Sequence, residues 1–217
     1  MSVGFEFQWD PPLESLQFGL EHWANLIEDF TEPFTAIEQV FRKHEKRLFD
    51  TEGGYGPSGD WEGLSAAYAA WKARNFPGRG ILVRGGTMRA ALVEGKGAGA
   101  IKKITGSFLE VGIDDQVIPY AAIHQSGRGI PQRKPMDFNL DIRNRGSLGW
   151  VILQVLQAYV VWARKKAFAQ TGRLDEEIFD LDGRAESSIL AAMEEHTGNA
   201  DAVKALEDAA LAEMGLG

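Results

Sequence analysis

Cysteine is absent from the 217 residues, which excludes disulfide staples and thiolate metal ligands together. A small disulfide-built secreted scaffold is therefore not expected. The four histidines, His22, His44, His124 and His196, are scattered without the paired spacing of a zinc site, so no metal is assigned. The glycines at 78, 80, 85 and 86 lack the Gly-Lys-Ser/Thr ending of a phosphate cradle, so no nucleotide or other cofactor is expected either. Long apolar runs are missing too. The longest late stretch without a charge, residues 146 to 163, contains Gln154 and Gln157, and a membrane span needs roughly 20 predominantly apolar residues. A buried helix is the better reading there. The start, Met1 to Glu6, has no basic region followed by an apolar stretch, so no secretory leader is expected. No internal repeat or low-complexity tract stands out.

What is present is an ordinary globular mixture, 44% hydrophobic and 25% charged, which argues for a folded core and against wholesale disorder. The net charge of -8 conceals three regions. Residues 1 to 119 hold 12 Lys/Arg against 17 Asp/Glu, residues 120 to 173 hold 9 against 2, and residues 174 to 217 hold 2 against 12. The basic middle suits phosphate or an acidic partner, and the acidic end repels the former. An equal alternative is that the two segments answer each other, within one chain or between copies.

Apolar residues from Leu16 to Leu48 recur three or four apart, including Trp23, Phe30, Ile37 and Phe41, and predict a helical stripe bent near Pro33, with Glu28, Asp29, Arg42 and Lys43 on the polar face. The Gly/Pro-rich run 51–60 ends it in a loop. Asp60 is placed as the cap of a second helix carrying Trp61, Leu64, Tyr68 and Trp71, and Thr87 as the cap of a short turn through Met88 and Leu92. Ala100–Thr105 and Phe108–Ile113 flank Gly106-Ser107 and predict a hairpin. Tyr120–Gln125 reads as a short helix stopped by glycines, Pro131–Leu140 as an extended strand, and Ser147 as the cap of a long buried helix through Phe168. Residues 175 to 214 read as two alanine-rich helical stretches split at Thr197-Gly198-Asn199. The fold class expected is α+β: a small antiparallel sheet, the hairpin plus an extra strand, packed with the long helix and flanked by helical extensions at both ends. The divisions fall at 1–59, 60–173 and 174–217.

The order of these words resembles the phage virion morphogenesis or tail-completion family. The resemblance rests on Trp61 to Lys72 with Ser65 and Tyr68, Ile81 to Leu92, Val111-Gly112, Tyr120 to Gly127 with His124-Gln125, and Arg133 to Phe138, covering roughly residues 60 to 170. Gly85-Gly86-Thr87 replaces the usual threonine-glycine order, and Lys134 separates Arg133 from Pro135. The resemblance implies a non-enzymatic virion component at the head-to-tail joint or tail end, assembled as a homo-oligomeric ring beside other neck and tail proteins, made in the host cytoplasm and carried in the virion. Ring contacts are expected from the hairpin, from Tyr120, His124 and Gln125, and from Trp150, Tyr159 and Trp162 on the long helix. That helix is expected to need cover from a neighbouring subunit.

Other readings of the same residues remain open. His124 suits a general base, but no nucleophile pattern accompanies it, and a structural or interface role is favoured. Asp114-Asp115 reads as a turn pair rather than a cation site. Arg128, Arg133, Lys134, Arg143 and Arg145 form the densest basic cluster. It supports the alternative function, a nucleic-acid-binding module using residues 128 to 145 or contacting DNA in transit, and equally a solvated loop.

Overall fold

A computed structural model of the chain describes residues 13–168 and the two single positions Asp208 and Ala212; side chains are described from Gln17 onward. The expected acidic C-terminal helices otherwise lie outside the described residues. The architecture is mostly helical α+β: α1 (Leu13–Ile27), α2 (Thr31–Asp50), α3 (Ala66–Asn75), the short α4 (Thr87–Arg89) running into a π-helical turn (Ala90–Glu94), the hairpin β1 (Ala100–Ile104) and β2 (Leu109–Ile113), α5 (Pro119–Ser126) and α6 (Leu148–Phe168).

The predicted bend near Pro33 is instead a break three residues earlier. Asp29 Oδ1 accepts from Thr31 N at 2.8 Å, which starts α2, and Phe30 N donates to Gly106 O in the hairpin turn at 2.9 Å. Pro33 then sits in the first turn of α2, where a missing N–H costs no helical bond. The hairpin forms as expected. Ile104 pairs with Leu109, and Thr105 N donates to Phe108 O at 3.0 Å around Gly106-Ser107.

Two further expectations fail for identifiable reasons. The helix expected from Asp60 begins at Ala66, because Trp61 is drawn into the core, edge-on to Phe49 at 5.3 Å, with its Nε1 donating to Lys134 O at 3.1 Å. The third strand, Pro131–Leu140, does not form among the described residues, and the sheet has two strands. Pro131 and Pro135 have no N–H to give a ladder. Side chains satisfy the backbone instead: Gln125 Nε2 donates to Met136 O at 2.8 Å, and Met136 N donates to Gln125 Oε1 at 3.2 Å.

Ser147 caps α6 as expected, its Oγ accepting from Trp150 N at 3.0 Å. From Leu148 to Phe168 no position is exposed. Helices α1 and α2 pack on α6, and a Cβ at Gly19 of α1 would overlap the Phe168 ring. The Tyr159 hydroxyl donates to Leu26 O and Asp29 O, at 3.2 and 3.1 Å, which pins α6 to the α1–α2 junction. Cover by a sister copy is therefore not required to explain how this apolar helix is buried.

Helix α2 carries a second surprise, because Arg42, expected on the polar face, is only 5% exposed. Its Nε donates to Glu38 Oε1 at 2.7 Å, and its Nη1 donates to Ala91 O and Leu92 O at 2.9 and 2.7 Å. Lys102 of β1 reaches the other Glu38 oxygen at 3.1 Å. Charge on α2 thus joins the π turn to the hairpin.

Candidate functional site

A cleft of about 1010 Å³ opens between α3, the 80–88 loop, α5 and the segment before Arg133. It is made from parts distant in sequence. Ser65, Tyr68 and Lys72 come from the start and body of α3, Gly85-Gly86-Thr87 from the turn that begins α4, and Tyr120 and His124 from α5. Arg133 closes the floor. They come from several of the runs that carry the resemblance, whereas Val111-Gly112, Gln125 and Lys134 to Phe138 lie outside the cleft lining.

The floor is basic and unusual in its partners. Lys72 and Arg133 are both buried, and their charges are met by backbone carbonyls. Lys72 Nζ donates to Gly80 O, while Arg133 Nε and Nη2 donate to Glu62 O and Gly63 O at 2.6 and 2.9 Å. Neither is hydrogen-bonded to a carboxylate among the described residues. Burial lowers the Lys72 pKa, opposed by the Glu52 carboxylate and assisted by Arg133. Arg84 adds an exposed third cation at the edge.

The wall is apolar and partly strained. Ile81, Met88 and Ile130 line it, with Leu82, whose φ of 62° is a left-handed conformation that a branched side chain rarely adopts. Glu52 Oε1 accepts from Ile81 N at 2.7 Å and holds that turn closed. Strain of this kind, on the order of 1–3 kcal/mol, persists where surrounding structure over-determines it and clusters at functional places. The rim is aromatic: Tyr120 is 43% exposed, and Tyr68 stacks on Trp71 with centroids 5.4 Å apart.

His124 is half-buried in the cleft, and its pKa is lowered by burial and by the Arg133 charge, so the ring is neutral near pH 7. Its Nδ1 is buried without a partner, and no hydroxyl or carboxylate is hydrogen-bonded to it among the described residues. A nucleophile–base pair is thus not assembled around it. Gly127, at φ 70°, ends α5 in the left-handed conformation that glycine accepts freely.

The remaining expected residues scatter. Gln125 is spent on the backbone of Met136, and Trp150, Tyr159 and Trp162 lie in the chain's own core rather than on its surface. Of the basic cluster, Arg128 is exposed while Arg133 is floor. Lys134 donates to Ser58 Oγ at 2.8 Å and lies 3.8 Å from Asp137. Arg143 pairs with Asp141 at 3.1 Å, and Arg145 lies over the Trp150 ring at 5.8 Å. The five do not make one free basic surface. Asp114 serves a turn, accepting from Gln116 N at 2.9 Å. No cluster of metal-ligating side chains and no helix long and apolar enough to cross a membrane occurs among the described residues.

Sequence reading quoted Ser65, Tyr68 and Lys72 as words of a motif without giving them a site. Leu82 and Arg84 stand within the run Ile81 to Leu92 without a role of their own, and Ile130 is given none. No signal in the sequence marks a left-handed leucine. Comparison with family models, curated proteins and solved structures finds no match to this chain.

Proposed function

We infer that this chain is a structural phage virion protein that acts in tail completion or head-to-tail joining, as a ring-forming neck or tail component, without catalysis. One observation carries the reading: residues of several runs that resemble tail-completion proteins, Ser65, Tyr68, Lys72, Tyr120, His124 and Arg133, line a single cleft, although Val111-Gly112 and Lys134 to Phe138 do not. A shared motif scattered along the chain gains weight when its members meet. The chemistry of the cleft fits recognition better than turnover. Its buried cations, Lys72 and Arg133, are held by carbonyls, its histidine lacks a hydroxyl or carboxylate partner, and its rim exposes aromatic and aliphatic surface at Tyr68, Tyr120 and Ile130. Because α6 is covered by its own chain, ring contacts are assigned to this rim and not to Trp150, Tyr159 or Trp162.

Purified virions, analysed by quantitative mass spectrometry, test the assignment. The chain should be present in a small fixed number of copies, and particles made without it should be heads and tails left unjoined or unfinished. Normal infectious particles lacking the chain would end the proposal. The nucleic-acid reading is weakened by the pairing of Lys134 and Arg143 and by the burial of Arg133. It expects DNA binding at low salt that falls steeply as salt is added.

A further inference from the structure

Helix α3 belongs to the cleft but not to the core. From Glu62 to Gly80 no residue joins the hydrophobic cluster, whereas Trp61 before the stretch and Ile81 after it both do. Along α3 itself only Lys72 is buried, Ala69 is half-buried, and Tyr68 and Trp71 are each 40% exposed. The helix shares no extended packing with any other described helix or strand. A ten-residue helix without such cover is marginal alone, and segments with few buried apolar contacts open at low free energy.

The bonds made by this stretch stay inside it. Ala69 N donates to Ser65 O at 2.8 Å, Phe76 N to Lys72 O at 2.7 Å and Arg79 N to Phe76 O at 3.3 Å. Arg74 Nε donates to Ala70 O and Asn75 Nδ2 to Trp71 O, at 3.2 and 2.7 Å. The Trp71 ring meets both Tyr68 and Phe76, with centroids 5.4 and 5.6 Å away. Residues 64–79 are thus one unit, a helix tied to its own return turn. The roots of the unit, by contrast, are clamped to the body. Arg133 donates to Glu62 O and Gly63 O, and Glu52 Oε1 accepts from Ile81 N. Among the described residues a single hydrogen bond joins unit to root, from Lys72 Nζ to Gly80 O. The connections between them can turn: a methyl added at Gly63 would meet nothing within 4 Å, and Gly78, at φ 72°, takes a left-handed conformation beside Pro77.

We propose that residues 64–79 are a hinged flap that swings as one body about Gly63 on one side and Gly78 to Gly80 on the other, with Lys72 as its latch. Leu64, Ser65, Tyr68 and Lys72 travel with the flap, while Arg84, Tyr120, His124 and Arg133 stay with the body, so the cleft keeps its α3 wall only while the latch holds. Hinges of this kind place the change of backbone angle in a few loop residues and leave the moving element intact. Helix α3 is about 15 Å long, so a turn of about 20° at its root carries the far end about 5 Å. One hydrogen bond is worth about a fivefold change in such an equilibrium, which sets how far the latch biases the flap.

The absence of cysteine lets two spin labels be placed in the full chain without background. Ala73→Cys on the flap and Ala122→Cys on α5 are both exposed and report across the cleft by pulsed electron–electron double resonance. Lys46→Cys on α2 with Ala122→Cys reports the body. The flap pair should give two populations about 5 Å apart, and the body pair one. Lys72→Met keeps the apolar stem and removes the latch bond; it should raise the ratio of the longer to the shorter population about fivefold, with the body distance unchanged and the α3 amides still protected from hydrogen exchange. A flap distance as narrow as that of the body, or populations that Lys72→Met does not shift, would overturn the proposal. Loss of α3 amide protection beside a protected core would overturn it too, because the stretch would then melt rather than swing. Each of these outcomes leaves the virion assignment to be decided by particle composition.

Discussion

Replacing Arg42 by Met should destabilise the chain far more than the loss of an ordinary helix-surface arginine, because three buried acceptors depend on one guanidinium. Glu38 is 2% exposed and receives Arg42 Nε at 2.7 Å, and the carbonyls of Ala91 and Leu92 receive Nη1. Methionine fills the volume but donates to none of them. Lys102 remains at 3.1 Å from Glu38, yet it is 44% exposed and supports only the second oxygen. Removing one partner from a buried pair costs about 3–5 kcal/mol, which corresponds to a fall of roughly 10 °C in melting temperature for a chain of this size. The effect should reach the cleft, since the carbonyls released belong to the π turn that follows Thr87 and Met88 on the cleft wall. Urea unfolding followed by tryptophan fluorescence measures the loss, and Glu38→Gln with Arg42→Met measures the coupling. The double variant should recover part of the stability lost by the single one. A loss below about 1 kcal/mol for Arg42→Met would refute the view that this cation holds α2 to the π turn.

Glu45 gives a pH-dependent prediction. It is 0% exposed, and burial raises its carboxyl above the ordinary 4.5, with His44 and Arg42 opposing the shift and Asp137 adding to it. A carboxyl raised in the folded state stabilises most below its unfolded pKa, and that contribution is lost as pH rises through the folded value. Glu45→Gln should therefore match the parent in acid, gain on it in melting temperature as pH rises from the unfolded value through the raised folded value, and hold a constant advantage above that; a difference that does not change across this range would contradict this. Tyr159→Phe removes the hydroxyl that binds Leu26 O and Asp29 O and whose pKa burial pushes up to about 12, and should cost about 1 kcal/mol in chemical unfolding. Gly53→Ala faces both a φ of 98° and the Trp61 ring 2.6 Å from the new methyl, so a loss of at least about 2 kcal/mol is expected by thermal melting.

The legible parts of the fold were those decided locally. Gly106-Ser107 between alternating runs specified the hairpin, and Ser147 before an apolar stretch specified the start of α6. What escaped was decided by groups distant in sequence. The break before α2 depends on Gly106 O taking the Phe30 amide, and the late start of α3 depends on Trp61 finding Lys134 O. Arg42 looked solvent-facing because its carbonyl partners are some fifty residues away. The missing third strand follows from a glutamine side chain imitating a neighbouring strand at Met136, which periodicity cannot reveal. The cleft was half visible: its residues stood in the motif words, but their meeting place required the fold.

Sedimentation velocity of the full chain over rising concentration, parent beside Tyr120→Ser, tests most directly whether the cleft rim is an assembly surface. Tyr120 is exposed and lines the cleft, so the substitution leaves the core intact. The parent should shift to larger species as concentration rises, and Tyr120→Ser should stay monomeric with an unchanged melting temperature. A parent that remains monomeric at every concentration, or a variant that assembles equally well, would contradict the account.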